Sequence, residues 1–457
     1  MNEFTQDETL HRLIKEAMDS GVAASRTEAE ALFRGYRLCF SIDAEGAAQP
    51  AHQIALLTGI MLASRVFLGG VAVTGALNVP LRVPGMLGAT LREAVVAVGG
   101  TPDTIGADAW PSIFIGGPQR QRGEGFRVRA VFGDWRGGAV PAHAEFEIGD
   151  GPVMPLAPML AAAVAVSEAF FHVQGKTPVA GRRAVGFSLW QPALKVWLQP
   201  DANAPSLKYL PSKLWLIGLG HLGQAYLWAL GLLPYPKPTG ALLVLQDVDR
   251  ITPSTWSTSV LSTAGMAGTM KTRSMAAWGE SRGFETRIIE RRFDASNVRQ
   301  DDEPMIGLCG IDNALGRQAL DRVGFSFVVE AGLGRGHRDF RTMRLHTLPG
   351  NRSAAEIWAT GGDGEDVSDR AAYQAMLKTG ELDRCGVTLL AGKAVGAPFV
   401  GAVAACFVIA EVLRLLHGGP LHHLIDLDLQ SPDHRTVAPH ASNFDALNPG
   451  FVALQNQ

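Results

Sequence analysis

An apolar run that ends in spaced glycines restricts this chain more than any other stretch. Leu214-Trp215-Leu216-Ile217 leads into Gly218-Leu219-Gly220-His221-Leu222-Gly223, and apolar residues continue from Ala225 to Leu233. The order is strand, tight turn, helix, as in a phosphate cradle of dinucleotide type. Gly218 and Gly220 let the backbone turn and approach a phosphate, and Gly223 lets helix pack on strand. The helix N-terminus then offers unpaired N–H groups to negative charge. A second buried strand, Ala241 to Leu245, is followed by Asp247, placed as a ribose-binding acid in such a βαβ unit. The fold class expected is α/β, a Rossmann-like doubly wound sheet.

Three later features separate the nucleotides that would fit. Lys271 stands alone, the apolar segment Met305 to Cys309 ends in Gly310-Ile311-Asp312-Asn313, and Arg317 follows. Hydride transfer has no use for a cation on a triphosphate or for a carboxylate on a metal. Adenylation needs both, because attack on the α-phosphate spreads charge over phosphate oxygens that a lysine and a magnesium at Asp312 would stabilise.

The segment resembles the ubiquitin-activating superfamily, including the bacterial adenylyltransferases of thiamine and molybdopterin synthesis. The resemblance rests on Gly218-x-Gly220-x-x-Gly223, Asp247-Val248-Asp249, Lys271 and Asp312-Asn313-x-x-x-Arg317, and covers roughly residues 205 to 420. It implies ATP and magnesium as cofactors, with Asp247 on the ribose, Lys271 on phosphate and Asp312 supporting the metal. Gly218, Gly220, Gly223, Asp249, Asn313 and Arg317 are carried along as nucleotide-binding positions. One departure matters. Where the family has Ser-Asn-x-x-Arg-Gln, this chain has Ser254-Thr255-Trp256-Ser257-Thr258-Ser259, so that Thr258 replaces the arginine on the triphosphate. Either another cation, Arg273 or an arginine from a partner subunit, takes its place, or the site binds ATP in a modified way; replacement is the reading preferred.

A repeat organises the rest. Pro155, Glu168 and Gly175 fall on Pro398, Glu411 and Gly418 at a constant offset of 243, each set in a small-residue-rich stretch of helical period. Ubiquitin-activating enzymes resemble this arrangement, pairing an active adenylation half with an inactive one. Residues 1–200 are read as an inactive adenylation-like domain, in which the pairs Gly69-Gly70 and Gly116-Gly117 lack a spaced third glycine. Residues 201–212 are the linker, 213–420 the active domain and 421–457 a C-terminal strand and tail. The result is a pseudo-dimer in one chain, with a homodimer left open.

The catalytic-cysteine loop is placed at 332–386, a glycine-rich irregular stretch that includes Gly361, Gly362 and Gly364 and ends in Asp383-Arg384-Cys385-Gly386. A thiol attacks as its thiolate, which a cation such as Arg384 favours, so Cys385 is the candidate nucleophile. Cys309 and Cys406 lie in apolar segments and read as core, and Cys39 is assigned no role. Without a Cys-x-x-Cys pair, a structural zinc is not expected. Hydroxyls of Ser254 to Ser262 are a minor alternative acceptor.

A net charge of −3, with 41 Lys and Arg scattered along the chain, gives no basic footprint, so nucleic acid is not expected as a partner. No signal-peptide core opens the chain, no run of membrane-spanning length stands out, and the reading is no membrane and a cytoplasmic location. His422-His423 read as a surface pair. The function expected is activation of the C-terminal carboxylate of a ubiquitin-like protein, capture on Cys385 and transfer to a conjugating enzyme, in a pathway the sequence leaves open between defence, sulfur delivery and conjugation. Alternatives are an adenylating enzyme for a sulfur carrier or a tRNA-linked carboxylate, an ATP-binding scaffold, and an NAD-dependent oxidoreductase that rests on the glycine turn alone.

Overall fold

The structure, a computed structural model, describes residues 4–86, 88–119, 124–145, 153–200, 203–359 and 365–455. Gly361, Gly362, Gly364 and the first two linker positions, 201 and 202, lie outside them.

Two sheets carry the chain, and they have the same plan. The first is built from β1 (Leu38–Ile42), β2 (Val71–Gly75), β3 (Thr101–Pro102), β4 (Ser112–Ile115), β5 (Arg127–Gly133), β6 (Arg136–Pro141) and β7 (Val185–Ser188), in the order 3-2-1-4-5-6-7. Pairings are parallel from β3 to β5 and antiparallel from β5 to β7. After β8 (Tyr209–Pro211) the second sheet repeats this with β9 (Lys213–Ile217), β10 (Leu242–Gln246), β11 (Glu285–Ile289), β12 (Ile306–Cys309), β13 (Phe327–Leu333), β14 (Thr342–Leu348) and β15 (His422–Asp428). Its order is 11-10-9-12-13-14-15, with β16 (Thr436–Pro439) added antiparallel at the end. A parallel sheet whose order reverses beside its first strand is the doubly wound α/β class.

The 243-residue repeat falls on matching elements. Leu156–Val173 joins β6 to β7, and Pro398–Leu416 joins β14 to β15. Each lies on its own sheet, the two pack on each other, and Pro50–Ala63 and His221–Leu232 complete a helical layer between the sheets. A helix so enclosed needs apolar residues on every face, which explains why both read as long hydrophobic runs. Each is long and apolar enough to cross a membrane, contrary to the sequence reading, but each is almost wholly buried in the protein core. Phe399 meets Phe170 at 5.6 Å between ring centroids and Phe171 at 6.2 Å. At roughly 1.5–3 kcal/mol for each large apolar side chain removed from water, such contacts bind the halves into one core. The matched glutamates do the same work: a backbone N–H donates to each, Gly181 ahead of β7 to buried Glu168 at 2.8 Å and His422 at the start of β15 to buried Glu411 at 2.6 Å.

Several local expectations change. His422 is inside β15 and buried, held by Glu411, because the strand starts two residues earlier than its apolar part suggests. The 332–386 stretch contains β14 and the helices Ala354–Ile357 and Ala371–Thr379, so it is less irregular than its glycines imply. The linker ends in β8, which pairs with β17 (Phe451–Ala453) of the tail, while Phe444 packs on Phe327.

Candidate functional site

The C-terminal ends of β9, β10 and β12 meet at the glycine turn. Gly218 has φ +85°, and a Cβ there would lie 3.0 Å from the Ile311 nitrogen, so only glycine fits between the ends of β9 and β12. A Cβ on Gly223 would strike the Gly218 carbonyl oxygen at 1.9 Å, which is the close helix–strand approach expected of the third glycine. At Gly220, the N-cap of the His221–Leu232 helix, a Cβ would meet nothing within 4 Å. That side of the turn is open to a ligand, with the helix N-terminus facing it.

Asp247 braces this turn. The Leu219 N–H donates to its Oδ2 at 2.7 Å and the Asp249 N–H to its Oδ1 at 2.8 Å. Lys271 is the first residue of the Lys271–Ser281 helix, and the bond from its N–H to the Asp249 carbonyl sets it in place. Its Nζ lies 2.8 Å from Asp249 Oδ2 and 3.8 Å from Asp247 Oδ2. The glycine turn, Asp247, Asp249 and Lys271 are thus brought together. Asp312 follows β12, is exposed, and has no ion-pair partner among the described residues.

Two expected nucleotide ligands have other work. The Gly316 N–H donates to Asn313 Oδ1 at 2.6 Å, so this side chain caps the Ala314–Gln318 helix. Arg317 is buried: it donates to the Ile311 carbonyl at 2.8 Å and the Ala331 carbonyl at 3.1 Å, pairs with Glu330 at 3.4 Å and stacks on Trp358. It positions the turn that carries Asp312. Arg273, one of the cations expected in place of the arginine missing at Thr258, makes two hydrogen bonds to Glu290, at 2.8 and 2.9 Å, on an exposed face.

A different cation, Arg12 from the start of the chain, lies beside this loop. A methyl built on Gly396 would lie 3.0 Å from Thr258 Cγ2 and 3.9 Å from Arg12 Cβ, so Arg12 enters where Thr258 leaves space. Its backbone N–H donates to Ser257 Oγ at 3.1 Å and Nη2 to Ser254 Oγ at 3.4 Å, while buried Nη1 has no hydrogen-bond partner among the described residues. Burial lowers the Arg12 pKa, and the charges of Asp7 and Asp312 oppose that. The segment from Asp7 to Asp19 ties the site to the cysteine region. Asp7 pairs with Lys393 at 3.0 Å, Lys15 donates to the Ala391 carbonyl, and Tyr373 bonds to Asp19. No motif marks Arg12, and its contacts span more than 240 residues, so spacing could not have found it.

Two partly buried histidines flank the site. His221 opens the helix after the glycine turn and His11 abuts Trp256, and burial holds the pKa of each down to about 4. Both are therefore neutral near pH 7.

Cys385 is exposed in the first turn of the Arg384–Ala391 helix, whose N-cap is Asp383. The other three thiols are buried. Burial pushes Cys309 up to about 12 and also raises Cys39 and Cys406. Among the described residues no hydrogen bond or ion pair joins Cys385 to Lys271 or Asp312; its helix packs on Gln6–Thr9, which also packs on Pro253–Trp256. The Ser254–Ser262 loop is closed rather than open. Ser257, Ser259 and Ser262 are buried, and Ser262 Oγ is bonded to Gln224 at 3.0 Å, so these hydroxyls are poor acyl acceptors.

Comparison with known proteins fixes the family. Models described as the BilD N-terminal and C-terminal domains match residues 37–189 and 210–419. A bacterial E1-like protein BilD from Collimonas sp. (strain OK412) is 46% identical over 427 residues, 93% of this chain and 92% of the relative. The chain belongs to the BilD family. That relative is an E1-like protein, in keeping with the sequence resemblance to the ubiquitin-activating superfamily. The first match spans the first sheet, and the second begins just before β9 and ends before β15 and β16. Among solved structures, E. coli MccB with ATP is similar at 13% identity and a TM-score of 0.35, covering 61% of this chain and 71% of that one. E. coli tRNA N6-threonylcarbamoyladenosine dehydratase, TcdA, is similar at 15% and 0.31, covering 45% and 86%.

Proposed function

We propose that this BilD-family chain uses ATP to adenylate the C-terminal carboxylate of a ubiquitin-like protein and then captures the acyl group on Cys385. The observation that carries the reading is the meeting of the open Gly220 turn, Asp247 and Lys271 beside exposed Asp312 at the ends of three parallel strands. The triphosphate would lie on the glycine turn with the ribose toward Asp247. Lys271 would exchange Asp249 for phosphate, and Arg12, with a free N–H, would supply the charge absent at Thr258.

Asp312 suits magnesium, since one exposed carboxylate is the protein share expected of an ion whose other ligands are phosphate oxygens and water. Bound there, magnesium would neutralise phosphate charge. A carboxylate oxygen of the acyl donor forms a bond to the α-phosphorus as the bond to pyrophosphate breaks. The Cys385 thiolate then attacks the acyl carbon and AMP leaves, which yields a thioester for a conjugating enzyme. Among the described residues the first half has no equivalent cradle, so one ATP per chain is expected.

ATP–pyrophosphate exchange with the protein donor tests the reading. Lys271→Ala and Asp312→Ala should each abolish exchange, about 10³-fold or more. Cys385→Ala should leave exchange intact and remove a thiol-sensitive adduct. A persisting adduct in that variant would show that the nucleophile lies elsewhere, and wild-type chain without exchange would reduce the site to a nucleotide-binding scaffold.

A further inference from the structure

The loop from Trp256 to Ser262 is held by a side chain of the other half. Arg65 follows the Pro50–Ala63 helix, is 4% exposed, and directs its donors onto carbonyl oxygens. Nε donates to Trp256 at 2.9 Å, Nη2 to Val260 at 3.0 Å and Ser262 at 3.1 Å, and Nη1 to Met61 at 2.5 Å. Its guanidinium carbon lies 5.5 Å from the centroid of the Trp256 ring. No carboxylate pairs with it among the described residues; loop carbonyls hold a buried cation, an arrangement that is unfavourable unless its hydrogen bonds are complete.

The same loop is joined to the glycine turn on its other side. Gln224 Nε2 donates to the Leu219 carbonyl at 3.1 Å and to Ser262 Oγ at 2.9 Å, and the Leu261 N–H donates to Gln224 Oε1 at 3.1 Å. The two helices behind these contacts are also tied, since Trp228 Nε1 donates to Thr58 Oγ1 at 3.1 Å. Leu219, Gln224, Ser262 and Arg65 thus form a continuous buried polar chain from the phosphate turn to the first half.

We propose that Arg65 is a positioning residue of the nucleotide site: through it the N-terminal half sets the 256–262 loop against the glycine turn. The half without a cradle is then a required part of the other half's cradle. The proposal rests on the reading of that site as one that binds ATP. Lysine cannot reproduce it, because a point-charge ammonium on a flexible stem does not hold three loop carbonyls in the fixed plane of a guanidinium.

Arg65→Lys in the full chain tests this with two readouts. Amide hydrogen exchange over residues 256–263 should rise about tenfold, while exchange in β1 to β7 stays as in the wild type. Titration with Mg-ATP alone should show Kd weakened about tenfold, in line with loss of a well-placed hydrogen-bond set. A folded variant with unchanged exchange in the loop overturns the proposal, and so does raised loop exchange with unchanged Kd. If the wild type binds no Mg-ATP, the nucleotide reading has failed and the role in that site falls with it; the exchange measurement then still reports whether Arg65 holds the loop. Should the lysine variant not fold, Arg65→Gln is read in the same way. Exchange raised throughout both halves would make Arg65 a general fold residue and overturn the positioning role.

Discussion

The two halves share a strand plan and differ where strands end. After the first strand of each sheet stands Asp43 in one half and Gly218 in the other; after the second, Ala76 and Asp247; three residues past the fourth, Pro118 and Asp312. In the first half the Asp43 carboxylate accepts the Gly46 N–H at 2.6 Å and the Gly117 N–H at 2.9 Å. A Cβ on Gly116 would lie 2.0 Å from that carboxylate. A side-chain anion thus takes the backbone donors at the corresponding strand ends, while in the second half the open turn leaves its donors to a ligand. The packing surfaces of the two halves are alike, because each buries its long helix against the other, and the strand ends are where they differ.

The largest test of this contrast concerns the matched glutamates. Burial alone would raise the Glu411 pKa, but Arg414 and His422 outweigh it and hold the carboxyl below its ordinary range, whereas burial leaves Glu168 raised. Glu411→Ala would strand fully buried Arg414 and should cost about 3–5 kcal/mol in denaturant unfolding. Glu168→Ala should cost less, since Arg183 is 24% exposed and can reach water. Equal losses would mean that the copies remain equivalent in their cores.

Next in size is the contribution of the first half to the site. Arg12→Ala should slow pyrophosphate exchange about 10²-fold, the usual scale for one lost charge-stabilising donor, with little change in melting temperature. No slowing would return the missing cation to another subunit.

Acid should reveal the two flanking histidines. Their folded pKa values, about 4, lie below the ordinary 6.5, so the stability they contribute is complete above about pH 6.5 and is lost as pH falls toward 4. Each would contribute on the order of 2–3 kcal/mol across that window, and His221→Gln should flatten part of the fall measured by unfolding at successive pH values.

The smallest effect is expected at Asp43. Asp43→Asn should leave pyrophosphate exchange within about twofold and Mg-ATP stoichiometry at one per chain, because a surface cap typically contributes only ~1 kcal/mol. A second bound ATP would contradict the reading of an inactive first half.

Much of this was legible in the chain. Apolar runs 214–217, 241–245 and 305–309 became β9, β10 and β12 with small shifts, because short buried strands must be apolar on both faces. The 243-residue offset located both central helices. The capping bond of Asn313 and the burial of Arg317 were not legible, because a motif reports residue type and spacing but not which way a side chain points. The Thr258 departure showed that the family's arginine is absent, but not which of the 41 Lys and Arg residues lies beside that loop.

By itself the sequence determined local order: where strands stop, where only glycine can turn, and that one stretch repeats another. Tertiary structure decided which distant groups share a site, bringing Arg12 and Arg65 from the first half to a loop near residue 258 and setting Cys385 on a separate helix. Local order follows from backbone sterics and hydrophobic period, which act between near neighbours. Contacts across 190 residues or more depend on how two buried helical faces fit, and no spacing along the chain records that fit.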